Sequence, residues 1–439
     1  MNNPRLLTGL VLAALMGGGA CGFAQSPKVV TLDEIFKSAE AHSSSIRSYV
    51  TAEKEAKQEI SVAKSAMLPD ANASLSLSYI GDGFTTKRNF SDYQKAPIPH
   101  FGSGFGINIS QPVYTGGAIK AGIDLAGLKS TAARFATELQ RDNIRFQLTG
   151  FYLDLYKYAN LRKVVENNIT LARKVLDNMK ARFEQGTALK NDITRYELLL
   201  SNMELELVRI DNTLQIINHN LVVTAGLDES ITVVPDSAIL QTALPAGNEQ
   251  TWQQEAEKNS PALKLAGNGV EMSRKAESLE RAAKLPKIGL QLGWTIDGPI
   301  LVEVPPINRN LSYWWIGVGV SYNLSSLWKA NKSVAKSKTA SRRSVQELAA
   351  ARDNIEMGVR AAYIRYMEAY EELKTREKSV ELAERNYSTT ETRYSADMAL
   401  ITDMLDAANA RIDAGQQLVN ARINIIYSYY KLLFISGTI

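Results

Sequence analysis

The sequence predicts a mainly α-helical chain with a membrane β-barrel component, one unit of long helices plus a β-hairpin used twice. Three observations carry this. Four stretches of about ten residues alternate between large apolar and small or polar side chains, the period of a strand with two unlike faces. Polar helical stretches surround them, two running for roughly 67 residues. The chain also repeats itself at an offset of roughly 210–220 residues.

The repeat is visible in short matches. "AKSAMLPDANASLSLSY" (63–79) resembles "AAKLPKIGLQLGW" (282–294), with Leu68-Pro69 and Leu285-Pro286 in the same place. "RFEQGTALKND" (182–192) resembles "RYSADMALITD" (393–403), and "FYLDLY" (151–156) resembles "AYIRYM" (362–367). We read residues 25–225 as a first repeat, 226–250 as a connector and 251–439 as a second repeat. Each opens with a helix, 32–68 and 252–285. Two strands follow, at 71–80 and 104–113, then at 287–296 and 314–324. A very long helix comes next, 117–183 and 328–394. It breaks near 186–190 or 396–401, and a shorter helix runs back. At 1.5 Å per residue the long helices extend about 100 Å, so they must lie side by side. Val359, Tyr363, Tyr366, Tyr370, Leu373, Val380, Tyr387 and Tyr394 fall on one seam. Glu377, Glu384 and Glu391 share that seam, which suggests that it partly lines water.

The strands set the environment. Leu75, Leu77 and Tyr79 form one face of the first strand, Ile107 and Ile109 of the second. Ile288, Leu290, Leu292 and Trp294 do so in the third, and Ile316, Val318 and Val320 in the fourth. About ten residues is the span of a tilted membrane strand, and Tyr79, Tyr114, Trp294, Tyr313, Trp314 and Trp315 near the strand ends suit interfacial girdles. We therefore expect these faces to meet lipid rather than a cover of helices. No sheet edge stays open in lipid, because each unpaired backbone group costs several kcal/mol. Four strands cannot close a barrel, so the chain must oligomerise, with eight, twelve or sixteen strands all satisfying the constraint. Small inward residues, mainly Ser and Gly, favour an open lumen.

Arg5, an apolar run from Leu6 to Met16 and small residues after it have the layout of a secretory signal peptide at 1–24, cleaved after Ala24. The rival is lipidation of Cys21, the one cysteine. The 22% charged residues are too many for a bundle of membrane helices. A net charge of +4 without a basic, aromatic-laced patch argues against nucleic acid. His42, His100 and His219 lie far apart, and no metal spacing is present. "GSGFGINI" (102–109) sits in a strand, not at a strand-to-helix turn, so it is no phosphate loop. With no nucleophile elbow either, we expect no enzyme, cofactor or metal.

Taken in order, the repeat, the helices and strands, "QPVYTGG" (111–117) at a strand-to-helix joint and the two break motifs resemble the TolC family of outer-membrane efflux proteins. The resemblance covers nearly all of the mature chain. It implies a homotrimer whose twelve-stranded barrel crosses the outer membrane of a Gram-negative bacterium and continues as a periplasmic helical tunnel. It also implies partners: a periplasmic adaptor, an inner-membrane transporter that supplies energy, and outer-membrane lipid. The function expected is a passive exit duct of tripartite efflux or type I secretion, gated at the periplasmic tips.

Asp403 and Asp406, spaced i, i+3, share one helical face and would form two carboxylate rings in a trimer. The resemblance makes them the gate, together with Tyr394 and Asp192, and makes Gly186, Thr187, Ala188, Leu189, Met398, Ala399 and Leu400 the tips that meet the adaptor. Asp397 and Ala399 depart from the Gly and Arg often found there. The alternative class is a surface-anchored coiled-coil protein for adhesion or scaffolding, with its strands in a soluble cap.

Overall fold

The computed structural model describes residues 26–241, 247–303, 305–396 and 398–439; the signal-peptide region 1–24, with Cys21, and Asp397 lie outside them. The first repeat comprises β1 (Ser26–Val30), α1 (Leu32–His42), α2 (Ser44–Ser65), β2 (Asp70–Tyr79), β3 (Gly83–Thr85), β4 (Gln94–Ala96), β5 (Phe101–Tyr114), α3 (Ala118–Glu184) and α4 (Lys190–Ala225). β6 (Ile231–Pro235) and a 3-10 turn, Ser237–Gln241, lie in the connector. The second repeat comprises α5 (Glu249–Asn259), α6 (Pro261–Ala282), β7 (Lys287–Gly298), β8 (Leu311–Ser321), α7 (Ser326–Ser395) and α8 (Ile401–Ser436).

Where the sequence reading drew one opening helix per repeat, the structure has two. The breaks fall at Ser43 and Ser260, whose ψ angles of 121° and 116° are extended. Pro261 explains the second, since a proline disfavours helical geometry in the residue before it. Each break is docked by the glycine that ends the returning helix. Gly226 and Gly437 adopt φ of 66° and 71°, which Gly reaches without strain. An added Cβ at Gly226 would stand 2.7 Å from the His42 Cβ, and one at Gly437 2.9 Å from the Ser260 Cα. The two repeats thus share a joint that only glycine fits.

The connector is less of a free segment than its composition suggests, because β6 pairs in parallel with β1. Tyr152 on α3 ties the pair down: its hydroxyl donates to the Val30 carbonyl at 3.0 Å and accepts from the Asp236 N–H at 2.7 Å. Asn218 on α4 does the same for β6, accepting from Val233 N–H at 2.8 Å and donating to the Ile231 carbonyl at 3.0 Å. Ile35, Leu148, Leu221 and Val222 fill the core beneath.

The main sheet is antiparallel in the order β2-β5-β7-β8, so the β5–β7 pairing joins the two repeats. Its register puts every apolar set on one face. Leu75 pairs with Phe105 and Phe105 with Ile296; Ile107 pairs with Trp294 and Trp294 with Trp314; Ile109 pairs with Leu292 and Leu292 with Ile316. Directly paired residues share a face. The other face carries Ser74, Ser76, Ser78, Gly104, Asn108, Gln291 and Thr295, with Tyr313 and Trp315 as its large exceptions. No helix among the described residues covers the apolar face: Leu75, Leu77, Tyr79, Ile316, Val318 and Val320 are 59–81% exposed. β2 and β8 are open edges. No helix among the described residues is long and apolar enough to cross a membrane.

Below the sheet the long helices pack laterally, α2 on α3, α3 on α6 and α6 on α7, and lower down α4 on α3, α3 on α8 and α8 on α7. The α7 seam buries Val359, Tyr366 and Tyr387. Its glutamates turn to α8 instead of water alone: Glu377 stands 3.9 Å from Arg422 and Glu384 3.7 Å from Arg411.

Two predictions follow from these joints and from α3. Gly226→Ala and Gly437→Ala should each lower stability by about 2–4 kcal/mol, combining backbone strain with a clash. Gly186→Ala, at φ 75° but with open space around it, should lose only about 1–2 kcal/mol; thermal unfolding of the three variants checks this. Asp142 on α3 is the second case. Burial pushes its carboxyl from the ordinary 3.8 up to about 6, with Arg145 opposing and Glu138 adding. The folded chain therefore holds this proton more tightly than the unfolded chain. The associated stability is complete below 3.8 and is lost as pH rises through about 6. Asp142→Asn should raise the unfolding temperature at about pH 8 and leave it nearly unchanged at about pH 3.

Candidate functional site

The candidate site is the end of the molecule farthest from the sheet, where α3 turns into α4 and α7 into α8. α3 closes with a Schellman pair: Gly186 N–H donates to the Phe183 carbonyl and Thr187 N–H to the Arg182 carbonyl, both at 2.9 Å. The Thr187 hydroxyl adds a bond of 3.0 Å to the same Arg182 carbonyl. α7 closes likewise, with Met398 N–H donating to the Arg393 carbonyl at 2.8 Å. Arg393 also donates through Nη2 to the Met398 carbonyl at 3.2 Å. The two returning helices then start alike. Leu189 and Leu400 are extended, and the N–H groups of Asp192 and Asp403 donate back to their carbonyls at 3.0 and 3.1 Å.

The proposed gate residues separate by role. Asp403 is exposed, yet its Oδ2 accepts from the Leu400 N–H at 3.1 Å, so one oxygen caps α8. Asp406 is exposed one turn further on and is free of that duty. Neither has a cation within ion-pair distance among the described residues. Asp192 occupies in the first repeat the place of Asp403, whereas the place of Asp406 is taken by Arg195. The carboxylate pair therefore belongs to the second repeat alone. Tyr394 is half-buried against the tip core of Met179, Ile193, Tyr196, Ile401 and Met404. Arg182 reaches it from α3: Nη1 donates to the Tyr394 carbonyl at 3.2 Å, and the guanidinium lies 5.6 Å from the ring centroid. This contact joins the first hairpin to the second. At the extreme tips Leu189, Met398 and Leu400 are 64–70% exposed, Gly186 and Thr187 are exposed, and Ala188 and Ala399 half-buried.

Sequence reasoning passed over three arginines. Arg182 and Arg393 head the matched motifs "RFEQG" and "RYSAD", a signal available in the repeat itself. Arg411 on α8 gave no such signal. Its side chain, 16% exposed, donates to Asn168 Oδ1 at 2.7 Å, lies 4.0 Å from the Tyr387 ring centroid and stands 3.7 Å from Glu384. Burial, and then neighbouring Tyr387, push the Tyr196 hydroxyl far above the usual phenol range. One cation thus clamps α3, α7 and α8 above the tips, with α4 joined through Tyr196.

A four-stranded sheet with an uncovered apolar face, continued by 67- and 70-residue helices, is the subunit fold of the outer-membrane channel-tunnels. The comparisons with known proteins agree. Residues 252–438 match the model of the family described as "Outer membrane efflux protein". Over 409 residues the chain is 21% identical to the outer membrane protein TolC of Vibrio cholerae, covering 93% of this chain and 91% of that one. Its fold superposes on the crystal structure of VceC from Vibrio cholerae with a TM-score of 0.76, at 15% identity, over 92% of this chain and 96% of that one. For the CmeC outer membrane channel of Campylobacter jejuni the score is 0.75, at 13% identity, over 93% and 85%. The chain is thus similar over most of its length to outer membrane proteins of the TolC kind, and the solved structures whose fold it shares include outer membrane channels.

Arg411→Gln should cost about 2–3 kcal/mol locally, since it removes a nearly buried cation with several partners. Hydrogen exchange should quicken in 160–215 and 380–415, while the sheet keeps its protection.

Proposed function

We propose that three copies of this chain form a passive exit duct of a tripartite efflux or type I secretion system. One observation carries the reading: a sheet with one continuous apolar face, nothing covering it, and two open edges. Such a sheet is tolerable in lipid only when its edges are paired, and three copies, as the TolC resemblance implies, supply twelve strands. Leu75, Leu77, Tyr79, Ile107, Ile109, Ile288, Leu290, Leu292, Trp294, Ile316, Val318 and Val320 then face hydrocarbon. The Ser- and Gly-rich face lines a lumen that continues between the long helices.

The mouth of the duct is the ring of tips. Three copies of Asp403 and Asp406 place two tiers of carboxylate there, and Tyr394 with Asp192 sits where the hairpins meet. Opening is an iris-like shift of the hairpins against one another, resisted by the Arg182–Tyr394 contact. The small and apolar tip residues, Gly186 to Leu189 and Met398 to Leu400, offer a surface for packing against helices of a periplasmic adaptor. The energy comes from an inner-membrane transporter.

The reading is tested in planar bilayers. Purified protein from outer-membrane fractions should insert as discrete conducting units. Asp403→Ala with Asp406→Ala should leave open conductance little changed. It should raise the half-blocking concentration of a trivalent cation about tenfold, equivalent to about 1.4 kcal/mol of lost attraction. Unaltered block would remove the acidic mouth from the proposal, and protein that leaves membranes with carbonate and conducts nothing would remove the duct.

A further inference from the structure

Two lateral helix faces lack a partner among the described residues, and they adjoin the two open strands. α2 ends at Ser65, and residues 66–69 join it to β2. β8 ends at Ser321, and residues 322–325 join it to α7. The joints are equally long. When β8 of one copy pairs with β2 of the next, α7 is therefore laid antiparallel beside the neighbour's α2 at matching heights below the membrane.

We infer that this seam between copies is a charge-matched zipper, with Trp328 against Val62, Lys332 against Glu59 and Lys336 against Glu55 of the next copy. The inference rests on the oligomeric reading above and adds its register. Counted from the sheet end, Val62, Glu59 and Glu55 lie three, six and ten residues down α2, and Trp328, Lys332 and Lys336 two, six and ten down α7. All six side chains are exposed in the single chain, with Val62 at 62% and Trp328 at 60%. They lie away from the covered sides of their helices, marked by Ala56, Ile60 and Ala63 on α2 and by Ser326 and Ala330 on α7. None of the four charged groups has an ion-pair partner among the described residues. The nearest pair on α2, Lys57 with Glu53, is internal to that helix.

The charge pattern favours a second copy. From 326 to 346, α7 carries Lys329, Lys332, Lys336, Lys338, Arg342 and Arg343 and no carboxylate. Six like charges on one helix repel unless something acidic lies alongside. The exposed carboxylates of α2 stand at the height of the middle of that run. A bilayer of anionic lipid would also attract these cations, but it would not select the heights of Glu55 and Glu59, nor call for an apolar contact at the top.

Cysteine crosslinking tests the register in the full-length protein in detergent, with the unsubstituted chain, whose one cysteine is Cys21, as control. V62C/W328C should give covalent trimers under mild oxidation, with most of the chain shifted on a non-reducing gel. A disulfide within one chain is out of reach, because α3 and α6 stand between α2 and α7. V62C/V345C should give none, since its positions are offset by about 24 Å along the helices, beyond the ~7 Å Cα limit of a disulfide. K332E/K336E should lower the temperature at which the oligomer dissociates, and adding E55K/E59K should restore it. Native-sized trimers without the V62C/W328C crosslink, or a charge reversal without rescue, overturn the zipper and leave the trimer standing. A monomeric wild type overturns both.

Discussion

Everything in this architecture answers to the backbone hydrogen bonds at the two edges of one sheet. β2 and β8 each present a row of N–H and C=O groups that no other strand among the described residues pairs with. In water such edges are a hazard; in hydrocarbon they are prohibitive. The cheapest remedy is another copy. Once that is required, the apolar face turned outward, the small residues turned inward and the lateral packing of the helices below become parts of one solution. The side chains refine it, but the main chain imposes it.

Duplication makes the solution economical. The β5–β7 pairing fuses the hairpins of two repeats into one sheet, and the helix breaks, glycine joints and tip turns recur with the same bonds in each half. Divergence is concentrated at the tips. Asp192 and Asp403 occupy equivalent first turns, but the first repeat has Arg195 at the position that Asp406 holds in the second. The carboxylate pair is carried by the second repeat, and the first repeat supplies Arg182 as a clip onto Tyr394.

Much of this was legible in the sequence because period-2 and period-3.6 patterns report local geometry directly. The alternating stretches led to the sheet and to its two unlike faces, and the length of the polar helices led to lateral packing. Three things escaped. The break at Ser43 has no proline to announce it, and its extended backbone is set by the fold around it. β1 and β6 are five residues each and pair across about 200 residues, too short for a periodic signal and too distant for a turn signal. Arg411 looks in the sequence like any solvated cation on a helix; its worth comes from Asn168, Glu384 and Tyr387, which only tertiary packing brings to it. Inter-helix polar contacts carry no period, so no pattern search finds them.

The glycine joints at Gly226 and Gly437 also bear on mechanics. Each anchors the root of a 36-residue helix, α4 or α8, whose far end is the tip. That is a lever of about 54 Å. A tilt of about one degree at the root displaces the free end by about 1 Å, so a fulcrum packed too tightly for a single methyl group can swing the tip without itself deforming.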